Sequence, residues 1–321
     1  LEYGISPDLV TEMNKGTTDR LEWQSLLGAM LCFAGVPLFV KYFAGFLDAW
    51  TVNAVRYATA TAFWLPYLLF ARRAAGSSAS FPWKLAIVPA ALNTVGQVGW
   101  ALCPYFNDAA FIGFVTRSSF FFTTIAGFLM LPQERSLLRR PMFWIGAIAI
   151  TGGLVGMYAQ GVRHGVTSPA GMAILLGTAA CWGLYGVSVK RFVSGYSARL
   201  SFGIISTYTT CVLVLLMFLF GEWRDLAAVR LPQWGLLLLS GFLGIAFSHV
   251  LLYRTIRSFG AIVTEGVMSL QPFLTAIGAV FFLGERPGWE QWIGGVTLAM
   301  GCLSLVRCRM YLVGPDRNQD R

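Results

Sequence analysis

The sequence predicts an all-α membrane protein: ten transmembrane helices arranged as two five-helix repeats, the second inverted relative to the first. Three observations carry that expectation. Of 321 residues, 56% are hydrophobic and only 12% charged, with a mean hydropathy of +0.63, whereas soluble domains run near a quarter charged. The apolar residues fall in ten runs, each near the roughly 20 helical residues that cross a ~30 Å hydrocarbon core. The chain also repeats itself. Ala261–Arg286 slid back by 151 residues falls on Ala110–Arg135, with identities at Ala110/Ala261, Ser118/Ser269, Phe122/Phe273, Thr124/Thr275, Gly127/Gly278, Glu134/Glu285 and Arg135/Arg286. After a three-residue change of register, Trp144-Ile145-Gly146 matches Trp292-Ile293-Gly294, and Gly153 matches Gly301. Repetition at about half the chain length reads as two copies of one unit.

Taken in order, residues 1–22 form a polar tail in which Asp19 and Glu22 are spaced to cap a helix. The apolar spans lie near 24–43, 49–70, 83–103, 108–131 and 142–160, and then near 169–190, 199–220, 232–252, 260–283 and 290–307. This divides the chain into a tail 1–22, a first repeat 23–161, a second repeat 162–309 and a tail 310–321. Pro37, Pro89 and Pro272 are expected to bend the helices they sit in, because proline removes a backbone donor. Gly152 and Gly156 form a small-xxx-small pair suited to close helix packing or dimerisation. Monomer and homodimer both stay open.

The charge pattern sets an orientation. The net charge of +9 sits in short connectors between apolar runs, so it argues against a nucleic-acid groove. With the N-terminus inside, seventeen of the 24 Lys and Arg residues lie on the inner side and five on the outer; Arg56 and Arg117 stay within spans. That bias predicts a multi-pass protein of the cell (inner) membrane with both termini cytoplasmic. Five spans per copy is an odd number, so the second copy enters the membrane upside down. Two inverted halves around a midplane cavity are an architecture of secondary transporters, which open the cavity to each side in turn.

These residues also resemble a known group. Gln271-Pro272, Leu283-Gly284-Glu285-Arg286 and Gln291-Trp292-Ile293-Gly294 are similar to motifs of the drug/metabolite transporter superfamily, in its EamA-type ten-helix branch. Gly35–Lys41 with Arg56-Tyr57 resembles the start of the first copy, and Cys181-Trp182-Gly183 through Lys190 the start of the second. The chain departs at Phe121, where the second copy has Pro272, so the fourth helix is expected to bend differently. The resemblance implies transport of small organic metabolites, often export of amino acids or related compounds.

Candidate site residues follow from polarity at depth. Arg117 lies in the middle of an apolar span, where an arginine costs at least ~2.5–3.5 kcal/mol unless it faces a cavity or partner. Its guanidinium suits a substrate carboxylate. Glu265 could take a substrate amine or a coupling proton. His249, at similar depth, is a candidate proton-linked gate in contact with Glu265. Asn93, Gln97 and Trp100 share one helix face at i, i+4, i+7, with Ser248 at the second-copy position of Gln97; Trp182, Tyr185 and Ser188 form a second stripe. The expected partners are a small-molecule substrate, membrane lipid and a coupling proton, with no cofactor. The six cysteines lack metal spacing, and neither a phosphate loop nor HExxH or GxSxG occurs, so an enzyme is not expected. A flippase for a lipid or lipid-linked molecule is the alternative the same fold would serve.

Overall fold

The computed structural model describes residues 7–75, 81–107, 109–164, 168–283 and 286–313; Gly284 and Glu285 and both tail ends lie outside them. The described residues are helical, in the order α1 (Pro7–Phe43), α2 (Ala49–Ala75), α3 (Trp83–Leu102), α4 (Ala109–Thr116 and Ser119–Met130), α5 (Pro141–His164), α6 (Pro169–Ser188), α7 (Ala198–Phe220), α8 (Leu231–Gly241 through Ser248–Phe259), α9 (Ala261–Met268 and Gln271–Leu283) and α10 (Trp289–Val313). Local chemistry explains their ends. Ser168 Oγ accepts from Gly171 N at 3.0 Å to start α6, and Ser197 Oγ accepts from Leu200 N at 3.2 Å to start α7. Gly260, at φ +90°, turns α8 into α9 within one residue.

Nine helical segments among the described residues are long and apolar enough to cross a membrane. The remaining predicted span falls on α2. At 27 residues it is long enough, but Thr51, Asn53, Arg56, Thr59 and Thr61 make it too polar for that set. Large apolar side chains such as Phe70, Ile148 and Phe281 stay exposed around the outside, as lipid-facing residues do.

Two local expectations are corrected. Helix α1 runs from Pro7, so Asp19 lies inside it and not at its start; no breaker stronger than Gly16 stands before it. Pro37 and Pro89 lie inside continuous helices. Phe121 does not spare α4 a break. Both α4 and α9 are interrupted at matching places, Arg117-Ser118 and Ser269-Leu270. In each gap the backbone tightens to i→i+3 bonds, Ser118 N to Val115 O at 2.9 Å and Leu270 N to Val267 O at 3.0 Å. Only the second break has a proline, Pro272, placed on the first turn of the following piece where its missing N–H is tolerated locally.

Two cores hold the bundle. One gathers Tyr57, Tyr185, Phe202, Ile205 and Tyr253 from α2, α6, α7 and α8. The other gathers Phe120, Phe143, Ile262, Leu298 and Leu305 from α4, α5, α9 and α10. The packing is reciprocal between halves: α3 on α6 answers α1 on α8, α4 on α6 answers α1 on α9, and α4 on α5 answers α9 on α10, while α2–α7, α4–α9 and α5–α10 pair directly.

The α5–α10 seam is backbone on backbone. A Cβ on Gly153 would meet Gly294 O and Leu298 N at 2.6 Å, and one on Gly146 would meet Gly301 O at 3.0 Å. Gly152, the first residue of the predicted small-xxx-small pair, faces open space; Gly153 and Gly156 make the contact instead. Gly153→Ala is expected to destabilise by ~1–3 kcal/mol through overpacking. Gly152→Ala is expected to be neutral or up to ~1 kcal/mol stabilising, from helix propensity. Thermal unfolding of the two detergent-purified variants checks the difference.

Candidate functional site

A cavity of ≈ 170 Å³ lies among α1, α2, α3, α4, α6, α8 and α9. For scale, an apolar cavity of ~150 Å³ admits benzene. Arg117, Gln97, Asn93, Trp100, Trp182, Tyr185, Glu265 and His249 all line it. Faces from both halves of the chain meet there. Phe33, Val36 and Pro37 on α1 stand 149 residues before Trp182, Tyr185 and Gly186 on α6, and all six are in the wall.

The two broken helices cross at the wall and are tied together by side chains. Arg117 Nη1 donates to Met268 O at 3.4 Å and to Gln271 Oε1 at 3.3 Å. In an unbroken helix Met268 O would accept from residue 272, but Pro272 has no N–H to give. Arg117 therefore supplies from one half a donor that the other half lacks. Beside it, Ser119 Oγ donates to Glu265 Oε1 at 2.5 Å. Arg117 and Glu265 interact electrostatically. Arg117 Nε and Thr264 Oγ1, both on lining residues, are buried without a hydrogen-bond partner among the described residues.

The remaining wall is aromatic and amide. Trp100 and Trp182 rings lie 5.3 Å apart, and Tyr185 and Tyr253 hydroxyls are 2.5 Å apart. The Asn93 amide donates to Tyr57 Oη and Thr209 Oγ1, each at 3.1 Å, so it is occupied by neighbours. Ser188 is outside the cavity, because its hydroxyl turns back to Tyr185 O at 2.7 Å. Ser248, the residue matched to Gln97, is fully buried and also outside it.

The expected His249–Glu265 contact is not formed. His249 Nδ1 stands 3.0 Å from Ile245 O, and its ring is stacked on Phe202 at 5.0 Å with Phe33 edge-on at 5.1 Å. Glu265 takes Ser119 instead. Two aromatic rings thus fix the imidazole against its own helix.

The sequence leaves Arg56 within a span and without a role. The structure puts it in the cavity wall, 3% exposed. Its signal was available, since it is the other arginine within an apolar run. Next to it, α8 loosens into a π-helical stretch, Phe242–Phe247, whose Gly244 and Ile245 line the cavity. Such widened turns recur at functional sites.

One end of the bundle is bound tightly. Glu134, 1% exposed, accepts from Ala261 N at 2.8 Å and Ile262 N at 2.9 Å, capping α9 from the turn after α4. Gly260 leaves room for that carboxylate, since a Cβ there would meet it at 2.7 Å. Basic side chains cap the neighbouring helix ends: Arg135 on Phe128 O at 2.7 Å, Arg191 on Met130 O at 3.0 Å, Lys190 on Arg257 O at 2.6 Å, and Arg257 on Ser194 O and Tyr196 O. Cations suit helix C-termini and the carboxylate suits an N-terminus.

Comparison with known proteins bears on the fold. Residues 169–307 match the EamA-like transporter family. No curated protein matches the chain. A solved structure titled "Crystal structure of protein" superposes with a TM-score of 0.71 at 17% identity, over 91% of this chain and 98% of its own; at that identity the likeness is one of fold.

Glu134→Ala leaves two buried N–H groups unpaired, each costing ~1–3 kcal/mol. The expected result is a lowered thermal midpoint, with Glu134→Gln intermediate because its amide oxygen still accepts.

Proposed function

We propose, from the match of residues 169–307 to the EamA-like transporter family, that the chain is a secondary transporter of small molecules working by alternating access. It moves small organic metabolites, amino acids or related zwitterions, outward across the cell membrane through the cavity between its halves. One observation carries this reading: the two helix breaks meet in the cavity wall, bringing Arg117 from the first half beside Glu265 from the second. Discontinuous helices at mid-depth are how transporters present ionic groups to a solute.

The site residues take these roles. Arg117 receives the solute carboxylate, Glu265 its amine or the coupling proton, and Gln97 and Asn93 form the amide wall. Trp100, Trp182 and Tyr185 pack the solute's apolar part. His249 is the gating residue on α8. Charged and amide groups in the wall favour a polar solute over a lipid, and hence a transporter over a flippase.

An inverted repeat supplies the two exchangeable states, and the glycine seam supports it. Gly146 meets Gly301 while Gly153 meets Gly294, which is one contact made twice under the sequence match, as a twofold relation requires. The positive-charge bias puts the Glu134 cap on the cytoplasmic side, so its release is the step that opens that side.

Proteoliposomes loaded with labelled amino acids, nucleosides and amines test the reading. The expected outcome is counterflow of amino acids, reduced about tenfold or more by Arg117→Lys, which keeps charge but loses the planar fork. Glu265→Gln is expected to keep counterflow while losing the response to a pH gradient. Failure of every amino acid to cross would remove that substrate class.

A further inference from the structure

Resting on the transporter reading, we propose that Arg56 is an anion-binding residue of the cavity and that the preferred solute carries a net charge of −1, with a carboxylate seated on this guanidinium.

Arg56 is built into the wall. It is 3% exposed, its Nε is buried without a hydrogen-bond partner, and no described residue forms an ion pair with it. Its electrostatic neighbours are Tyr57 and His249, neither of them a carboxylate. An unpaired charge taken out of water costs several kcal/mol. Arg117 differs, because Met268 O and Gln271 already accept from it.

The backbone around Arg56 keeps the guanidinium reachable from the cavity. A Cβ on Gly241 would meet Arg56 O at 2.8 Å, so α8 lies directly against α2 at this point. A Cβ on Gly244 would meet Arg56 Nη2 at 2.9 Å, so this glycine makes room for the guanidinium itself. Gly244 belongs to the π-helical stretch and lines the same cavity. The site therefore sets a planar guanidinium at the edge of the space a solute would occupy, while its Nε is buried and without a partner among the described residues. A guanidinium can hold a carboxylate through two parallel bonds.

Charge balance then selects the class. The cavity wall holds two guanidinium groups, Arg56 and Arg117, against one carboxylate, Glu265. A neutral zwitterion leaves one positive charge uncompensated, and an amine adds to the excess. A solute of net charge −1 closes the balance. Both an amino acid with a second carboxylate and a simple monocarboxylate answer that description.

The test is equilibrium binding to the purified full chain with four probes: L-glutamate, pyruvate, L-leucine and putrescine. The expected result is that L-glutamate or pyruvate binds at least tenfold more tightly than L-leucine, and putrescine weakest. Arg56→Gln should remove that preference, and Arg56→Lys should restore part of it. Gel filtration and thermal unfolding report whether each variant folds; if Arg56→Gln does not, Gly244→Ala, whose methyl displaces the guanidinium, should weaken anion binding in the same sense. Anions binding no better than L-leucine, or an anion preference that survives Arg56→Gln or Gly244→Ala, would overturn the proposal. Proteoliposome flux separates the two readings. Anions that bind but do not cross would overturn transport and leave the site standing; L-leucine crossing in preference to both anions would overturn the site and leave transport standing.

Discussion

A backbone carbonyl inside a membrane protein must find a donor, because the hydrocarbon around it offers none. Pro272 withholds the donor that Met268 O would take from its own helix, and Arg117 of the other half provides one. Much of the central architecture follows from that substitution. It allows α9 to be broken at mid-depth, and it requires α4 to pass close beside it. It also keeps an arginine in the interior by giving it acceptors. Neither helix could hold its break in this form alone.

The first half holds α9 in three more places. Glu134 caps its first two N–H groups, and Ser119 binds Glu265 between the cap and the break. Thr275, beyond the break, donates to Ala34 O on α1 at 2.8 Å. So α9 is fixed along its length by side-chain bonds to α1, to α4 and to the turn that follows α4. Its own half contributes mostly packing, through α10 and the Cys302 thiol against Gly266 O at 3.4 Å. The α5–α10 seam is of another kind. It consists of backbone contact through glycines, has no long side chains to rearrange, and suits a fixed axis better than a moving part. The α4–α9 contact is thus made by polar side chains and the α5–α10 seam by glycine backbone.

How far this was legible in the sequence depends on the scale of the feature. Helix positions followed from runs of apolar residues, because a span of lipid imposes its length directly. The cavity-facing residues on α3 followed from spacing alone: Asn93, Gln97 and Trp100 share a face by helical geometry, and that face is in the wall. Features decided by partners across space were not legible. Gly152 and Gly153 are neighbours with the same chemistry, and only the position of α10 separates the exposed one from the buried one. The break at Arg117-Ser118 carries no proline. Its position shows only in the alignment with the other half, where Ser118 matches Ser269. Ser188 sits on the expected stripe but spends its hydroxyl on its own helix, a choice that spacing does not encode.

Arg56 and Arg117 show where sequence chemistry ends and structure begins. Each is one arginine in an apolar run, and by composition the two are interchangeable. Their surroundings give them opposite duties. Arg117 stands at a break, where a carbonyl and an amide oxygen take its protons, so much of its donor capacity is used in holding the fold. Arg56 stands beside an unbroken stretch of its own helix, and the neighbour it faces is a glycine that makes room without offering an acceptor. The same side chain is in one case part of the frame and in the other a group with capacity left over. Capacity left over is what lets a cavity favour one solute over another, and Arg117 keeps a smaller share of it in its unpartnered Nε.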